Sequence, residues 1–154
     1  RVMTSPLTFY DCSRGGTLST RYHANYCDIW PKHFAKLNTA CHAADCPAED
    51  MRPLHRAELQ VFAEGVADIM RRDPSPTKRL RGYKAEAALR SPWLRALLER
   101  MKIEGCYSAY YLPCRWRNVG LVCRVANARL ADSPLYGKLD WAGYYLLLGR
   151  MRRD

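Results

Sequence analysis

The sequence predicts one mainly α-helical domain, irregular in layout and built from about four to five helices, over residues 27–154. An extended N-terminal arm, residues 1–26, precedes it. Apolar residues recur at steps of three and four in several segments, which is typical of helices with one buried face. Ser, Pro and Gly stand where those segments begin and end. With 154 residues, 48% hydrophobic and 26% charged, the chain is large enough for one core without metals or disulfides.

The N-terminal arm has neither helical nor strand periodicity. Pro6 and the pair Gly15-Gly16 interrupt it. Its apolar surface comes from three tyrosines, Tyr10, Tyr22 and Tyr26. We therefore expect the arm to pack on its own domain or on a partner.

The first helix is predicted from Cys27 to about Ala44. Its apolar stripe is Cys27, Trp30, Phe34, Leu37, Cys41 and Ala44. Asp28 is a candidate N-cap, which would place Pro31 in the first turn, where its missing N–H costs nothing. Residues 46–53, with a proline near each end, are expected to form a corner.

The second helix is predicted from about Leu54 to Arg72. Its stripe is His55, Leu59, Phe62, Val66 and Ile69. Arg71 and Arg72 complement the negative end of the helix dipole, and Asp73-Pro-Ser-Pro76 breaks the chain. His55 lies on the apolar face, so we expect a hydrogen-bonded core histidine and not a ligand.

The next segment, residues 77–90, is short and basic, and Gly82 weakens any helix there. A helix with stronger sequence signals follows. Ser91 is its cap, Pro92 suits its first position and Gly105 ends it. Its stripe is Leu94, Leu97, Leu98 and Met101.

The last third of the chain leaves two alternatives open. Cys106–Leu112 is aromatic and suits a strand or a loop. Residues 119–125 suit a strand, but we favour a helix because of the stripe Trp116, Val119, Cys123, Ala126 and Leu130. Ser133-Pro134 opens a final apolar segment that ends near Leu148. No stretch is long enough to cross a bilayer, and Leu139–Leu148 also contains Asp140.

The charge balance predicts an anionic partner. The net charge is +10, and 19 of the 25 cations are arginines, which pair with carboxylates and phosphates. An acidic protein subunit, RNA and anionic lipid head groups all fit. Arg115-Trp116-Arg117 could hold a nucleic-acid backbone and stack a base. The candidate contacts are Arg71, Arg72, Lys78, Arg79, Arg81, Arg115, Arg117, Arg150, Arg152 and Arg153.

The seven cysteines suit disulfides or buried thiols, and we expect no metal or other cofactor. The candidates are Cys27, Cys41, Cys46, Cys106, Cys114 and Cys123. A zinc site from His23, Cys27, Cys41, His42 and Cys46 is disfavoured, because Cys27 and Cys41 would lie about 21 Å apart along one helix. Cys106, Cys114 and Cys123 loosely resemble the twin-cysteine helical hairpins of the mitochondrial intermembrane space. Their spacing departs from that pattern, and the resemblance implies only a compartment.

Local catalytic motifs are absent. There is no Cys-x-x-Cys pair, no Gly-x-Ser-x-Gly and no His-Glu-x-x-His. Ser75-Pro-Thr-Lys78 matches Ser-x-x-Lys, but in a proline-rich linker. The carboxylates form no evident acid/base pair, so no catalytic residue is predicted.

The sequence favours a non-catalytic accessory subunit of a large assembly. The assembly that we expect first is a mitochondrial respiratory-chain or ATP-synthase complex. Its start at Arg1 suggests a processed, imported chain. An RNA-binding protein, such as a mitochondrial ribosomal subunit, is the first alternative. A small thiol-dependent enzyme is the second.

Overall fold

The computed structural model describes residues 26–140. Of these, 79% are helical and none lies in a strand, which confirms the mainly α class. Six helices have defined bounds: α1 (Tyr26–Ala43), α2 (Ala48–Arg72), α3 (Lys78–Leu89), α4 (Pro92–Ile103), α5 (Tyr111–Arg115) and α6 (Val119–Leu130). Residues 134–140 form a seventh helical segment, so the expected four to five helices were too few. Predictions for residues 1–25 and 141–154 lie outside the described residues.

Helix α2 is the centre of the fold. It is 25 residues long, about 37 Å, and packs against α1, α3, α4 and α6. Such a helix needs apolar residues on more than one face, and α2 has them. Its buried side chains include Met51, Leu59, Phe62, Ala63, Val66, Ala67 and Ile69.

The core surrounds α2 and takes residues from every later helix. Leu94, Leu97, Leu98 and Met101 of α4 are all buried, as predicted. Aromatic pairs fill the larger spaces. The rings of Phe62 and Trp93 lie 5.0 Å apart between centroids, and those of Tyr107 and Tyr111 lie 4.8 Å apart in an edge-to-face arrangement.

Both of the first two helices begin earlier than predicted. Helix α1 already includes Tyr26, so Asp28 lies in its first turn and Pro31 lies inside the helix. Helix α2 begins at Ala48, which makes most of the predicted corner helical and places Pro53 inside it. Each proline removes one intrahelical donor near a helix start, a small loss beside the packing of the whole helix.

Helix α3 also forms where Gly82 argued against it. The Thr77 side chain accepts a hydrogen bond from the N–H of Leu80, and Ala85 and Leu89 are buried. A cap and two core contacts outweigh a glycine that costs about 1 kcal/mol. Helix α4 matches its prediction: Ser91 caps it at the N–H of Leu94, and Gly105 follows it with φ 62°.

Between α4 and α6, residues 106–110 form a loop, which is one of the two alternatives predicted, whereas Tyr111 and Leu112 lie in helix α5. Residues 106–111 are all buried, and they lead into the short helix α5. Helix α6 confirms the helical alternative and is capped by the Asn118 side chain at the N–H of Leu121. The ends of its predicted stripe are wrong, because Trp116 and Leu130 are exposed while Val122, Val125 and Ala126 are buried.

Asp140 fixes the last described segment to the rest of the fold. Its carboxylate accepts hydrogen bonds from Arg56 of α2 at 2.5 Å and from the N–H of Ala109 at 2.8 Å. Within residues 26–140, no helix combines the length and the apolar character that a membrane crossing requires.

Candidate functional site

Four arginines line one pocket, which we call the arginine pocket: Arg90, Arg95, Arg115 and Arg117. It lies where α3 ends, α4 begins and α5 ends, and its volume is about 280 Å³. Glu99 is the one acidic residue of its lining. Leu89, Leu94, Leu98 and Cys114 form the apolar floor.

Two of the four arginines have acidic partners. Arg115 donates to Glu99 at 3.3 Å and to the hydroxyl of Tyr111 at 3.4 Å, which ties α5 to α4. Arg90 faces Glu86 at 3.6 Å, and both side chains are more than half exposed. Exposed pairs of this kind are weak, so Arg90 stays available to a ligand. Among the contacts described for residues 26–140, Arg95 and Arg117 have no ion pair.

The local backbone explains how the pocket is formed. Ser91 caps α4 immediately after Arg90, so only two residues join α3 to α4 and Arg90 stays near Arg95 in the pocket lining. Arg117 has φ 54°, and the N–H of Asn118 donates to the carbonyl of Pro113 at 3.0 Å. This helix-ending turn stops α5 and leaves Arg115, Trp116 and Arg117 exposed in succession.

The positive charge of the described chain is concentrated in the stretch of sequence from α3 to Arg117, which includes the four pocket arginines. Residues 78–117 hold ten Lys and Arg against three Asp and Glu, whereas the other described residues hold nine against ten. A segment with this excess attracts anions at long range and loses that attraction as salt is added.

The other predicted cationic contacts lie elsewhere or are partly neutralised. Arg71 and Arg72 both face Asp68, at 3.8 and 3.1 Å, and Arg71 donates to the side chain of Asn127. Lys78 and Arg79 are exposed at the start of α3, and Arg81 is half-buried on the same helix. Arg150, Arg152 and Arg153 lie outside the described residues.

Sequence reasoning found Arg115 and Arg117 but missed Arg90 and Arg95. Both had the pattern of ordinary helix-surface charges. One signal was present: they flank the predicted helix start at Ser91-Pro92, where two helices must turn against each other.

A buried polar cluster joins α2 to α1 and α4. His55, 2% exposed, contacts the Glu104 carboxylate through Nδ1 at 2.6 Å and Arg100 through Nε2 at 3.4 Å. Because Arg100 can only donate, Nε2 accepts its hydrogen bond, and Nδ1 donates its proton to Glu104. His55 is therefore the hydrogen-bonded core residue that the sequence predicted.

Glu58 extends this cluster. It is buried one turn beyond His55 on α2 and accepts a hydrogen bond from Asn38 of α1 at 3.5 Å. Burial raises the pKa of Glu58, against the opposing effects of Asn38, His55 and Arg100.

The six described cysteines are free thiols. Cys106 and Cys114 are buried, and the other four are half-buried. Burial raises the pKa of Cys27 to about 12 and that of Cys106 to about 11, and it also raises the pKa of Cys114 and Cys123. These four thiols are protonated at neutral pH, unlike activated nucleophiles.

Two of the residues of the disfavoured zinc site, Cys27 and Cys41, are separated by most of helix α1. Cys27 stands near its start and Cys41 near its end, while His23 lies outside the described residues. Across residues 26–140, no three His, Cys, Asp or Glu side chains are grouped closely enough to hold a metal ion.

Known proteins offer no match: no protein-family model, curated protein or solved structure resembles the chain significantly. The chemistry of the arginine pocket is that of anion binding. Guanidinium groups bind carboxylates and phosphates through paired N–H donors, and the apolar floor can hold a short side chain.

Proposed function

We propose that the chain is a non-catalytic subunit of a large protein assembly, and that it docks on an acidic segment of a neighbouring subunit through the arginine pocket. The observation that carries the proposal is the convergence of four arginines, at or near the ends of three helices, on one pocket with an apolar floor. Arginine and tryptophan are common at binding hot spots, and Trp116, 63% exposed, stands between two of these arginines.

A second exposed surface supports the same proposal. Tyr83 and Leu80, one turn apart on α3, are 74% and 49% exposed and adjoin Arg79. A pair of large apolar side chains beside a cationic group is typical of a protein contact. The raised thiol pKa values support a non-catalytic role over a thiol-dependent enzyme.

The assembly that we propose is a mitochondrial respiratory-chain or ATP-synthase complex. This part of the proposal depends on composition: the arginine excess, the seven cysteines and the large aromatic content. It names the class of complex to examine first.

RNA binding is the second candidate, as in a mitochondrial ribosomal subunit. The observation that favours it is Arg115-Trp116-Arg117, which presents two guanidinium groups beside an exposed indole. Stacking of a base on an aromatic ring adds about 1 to 3 kcal/mol to single-strand binding.

The test is native isolation of tagged wild-type chain and of the double variant Arg95→Gln, Arg117→Gln. These two arginines are chosen because Arg115 also supports the link between α4 and α5. Wild type is expected to migrate in a large complex and the double variant mainly as the free chain. Each lost charge–carboxylate contact should weaken binding by about 1 to 3 kcal/mol, or roughly 5-fold to 150-fold.

Arg124→Gln is the matched control, because Arg124 is exposed on α6 and is not part of the pocket. Ribonuclease treatment separates the candidates: a complex that survives is held by protein, and one that disperses favours RNA binding. Wild type that migrates alone, or a double variant that remains in the complex, would contradict docking through the pocket.

A further inference from the structure

The end of helix α1 brings two cysteines together. The N–H of Cys46 donates to the carbonyl of Cys41 at 3.0 Å, and the N–H of Asp45 donates to the carbonyl of His42 at 3.1 Å. Asp45 adopts φ 49° between them. These two hydrogen bonds and the left-handed residue define a Schellman turn, in which the side chains at the two ends of the outer bond meet.

The two thiols lie close together and can be reached from solvent. The side chain of Cys41 is near enough to raise the pKa of Cys46, and both side chains are half-buried. Disulfide formation requires α-carbons about 4.4 to 6.8 Å apart and converging side chains. A turn closed by a direct backbone hydrogen bond between the two residues favours both conditions.

We propose that Cys41 and Cys46 are a redox-active dithiol, which closes to an intrachain disulfide by exchange with low-molecular-weight disulfides such as oxidised glutathione. The site stands at the corner between α1 and α2. It does not depend on the proposed docking function, and each can fail without the other.

The exchange proceeds in two balanced steps. The thiolate of one cysteine attacks a sulfur of oxidised glutathione, forms a mixed disulfide and releases one glutathione thiolate. The second cysteine, as thiolate, attacks the protein sulfur of that mixed disulfide and releases the second glutathione. The protein loses two protons and two electrons, and oxidised glutathione becomes two reduced molecules.

Accessibility distinguishes this pair from another that the fold brings near. Cys27 lies close enough to Cys114 for a charge on Cys27 to raise the pKa of Cys114. Cys114, however, is only 1% exposed, so a soluble disulfide cannot reach it in the folded chain. Desolvation and Cys41 raise the pKa of Cys46, so closure is expected to speed up with pH as the thiols ionise.

The experiment equilibrates the full chain in glutathione buffers of increasing oxidised fraction, followed by acid quenching, alkylation of free thiols and peptide mass mapping. Folded wild type should give a Cys41–Cys46 bridge with an equilibrium constant at least about tenfold larger than in denaturant, because the turn holds the thiols together. Cys46→Ser should instead retain glutathione on Cys41, since the second thiol is missing. Cys123→Ser is the control and should close like wild type.

Variants at Asp45 test the role of the turn. A position in the left-handed backbone region accepts glycine without strain but disfavours a β-branched side chain. Asp45→Gly should keep the folded-state constant at or above the wild-type value, while Asp45→Val should lower it about fivefold or more. Circular dichroism verifies that both variants keep their helices.

Three results would overturn the proposal: equal equilibrium constants in the folded and denatured chains, preferential pairing of Cys41 or Cys46 with a different cysteine, or a stable glutathione adduct on wild type without closure.

Discussion

Replacing Glu104 with alanine tests whether the buried polar cluster holds α4 against α2. The carboxylate stands 2.6 Å from Nδ1 of a histidine that is 2% exposed, and alanine would leave that donor buried without its acceptor. A hydrogen bond to a charged group contributes about 1.5 to 3 kcal/mol, and breaking a fully buried pair costs about 3 to 5 kcal/mol. Glu104 itself is 20% exposed, so we expect a loss of about 2 to 3 kcal/mol.

The assay is urea unfolding of the full chain, followed by circular dichroism and supported by thermal melts. For a chain of this size, the expected loss corresponds to a fall in Tm of about 4 to 12 °C. Glu104→Gln keeps an acceptor oxygen and should lose only about 1 kcal/mol.

Glu86→Ala is the control for the loss of an ion pair as such. Glu86 faces Arg90 at 3.6 Å with both side chains exposed, so its removal should change stability by no more than about 0.5 kcal/mol. If Glu104→Ala were as stable as this control, or if the Ala and Gln variants were equally stable, the His55–Glu104 contact would not be what holds α4 against α2.

Three further predictions concern single sites. Glu58→Gln should gain stability relative to wild type as pH rises from about 4 to about 7. Because the pKa of Glu58 is raised in the folded state, the folded chain keeps this proton to a higher pH than the unfolded chain, and wild-type stability falls above the ordinary pKa of 4.5. Parallel pH profiles of the two proteins' stability would contradict this. Cys114→Ser should lower the free energy of unfolding by about 1 to 3 kcal/mol, because it replaces a buried thiol with a buried, unpaired hydroxyl. Urea unfolding measures this loss, and a loss smaller than that of Cys123→Ser would contradict the prediction. Asp132→Gly should raise the free energy of unfolding by up to about 0.5 kcal/mol, because Asp132 has φ 47°, while Gly105→Ala at φ 62° should lower it; opposite signs would disprove the turn geometry.

Helix α4 was predictable because its sequence signals agree. A serine cap, a proline in the first position, a four-residue apolar stripe and a terminal glycine all indicated the same bounds. The helical class and the core role of His55 followed from the same kind of periodicity.

Other helix bounds depended on tertiary packing that the sequence does not display. Pro53 and Gly82 weaken a helix locally, yet α2 and α3 continue through them because their buried faces contribute more. Three helices also end at left-handed residues other than glycine, Asp45, Arg117 and Asp132, so no glycine marked those ends.

The arginine pocket was only half predictable for a similar reason. Arg115 and Arg117 are adjacent to a tryptophan in the sequence and were noticed. Arg90 and Arg95 join them only because a two-residue turn links α3 to α4 and because α5 packs against α4. The convergence is a property of the fold, and composition indicated only that an anionic partner was to be expected.

The most direct test of docking through the arginine pocket is photo-crosslinking in the source cells, with a photoreactive amino acid in place of the exposed Trp116. The same replacement at Leu130, equally exposed on α6, is the control. If the pocket docks on a neighbouring subunit, position 116, but not position 130, should give a covalent adduct to an acidic segment of that protein. Crosslinking to RNA would favour the ribosomal alternative, and equal adducts from both positions, or none from position 116, would contradict the arginine pocket as the docking surface.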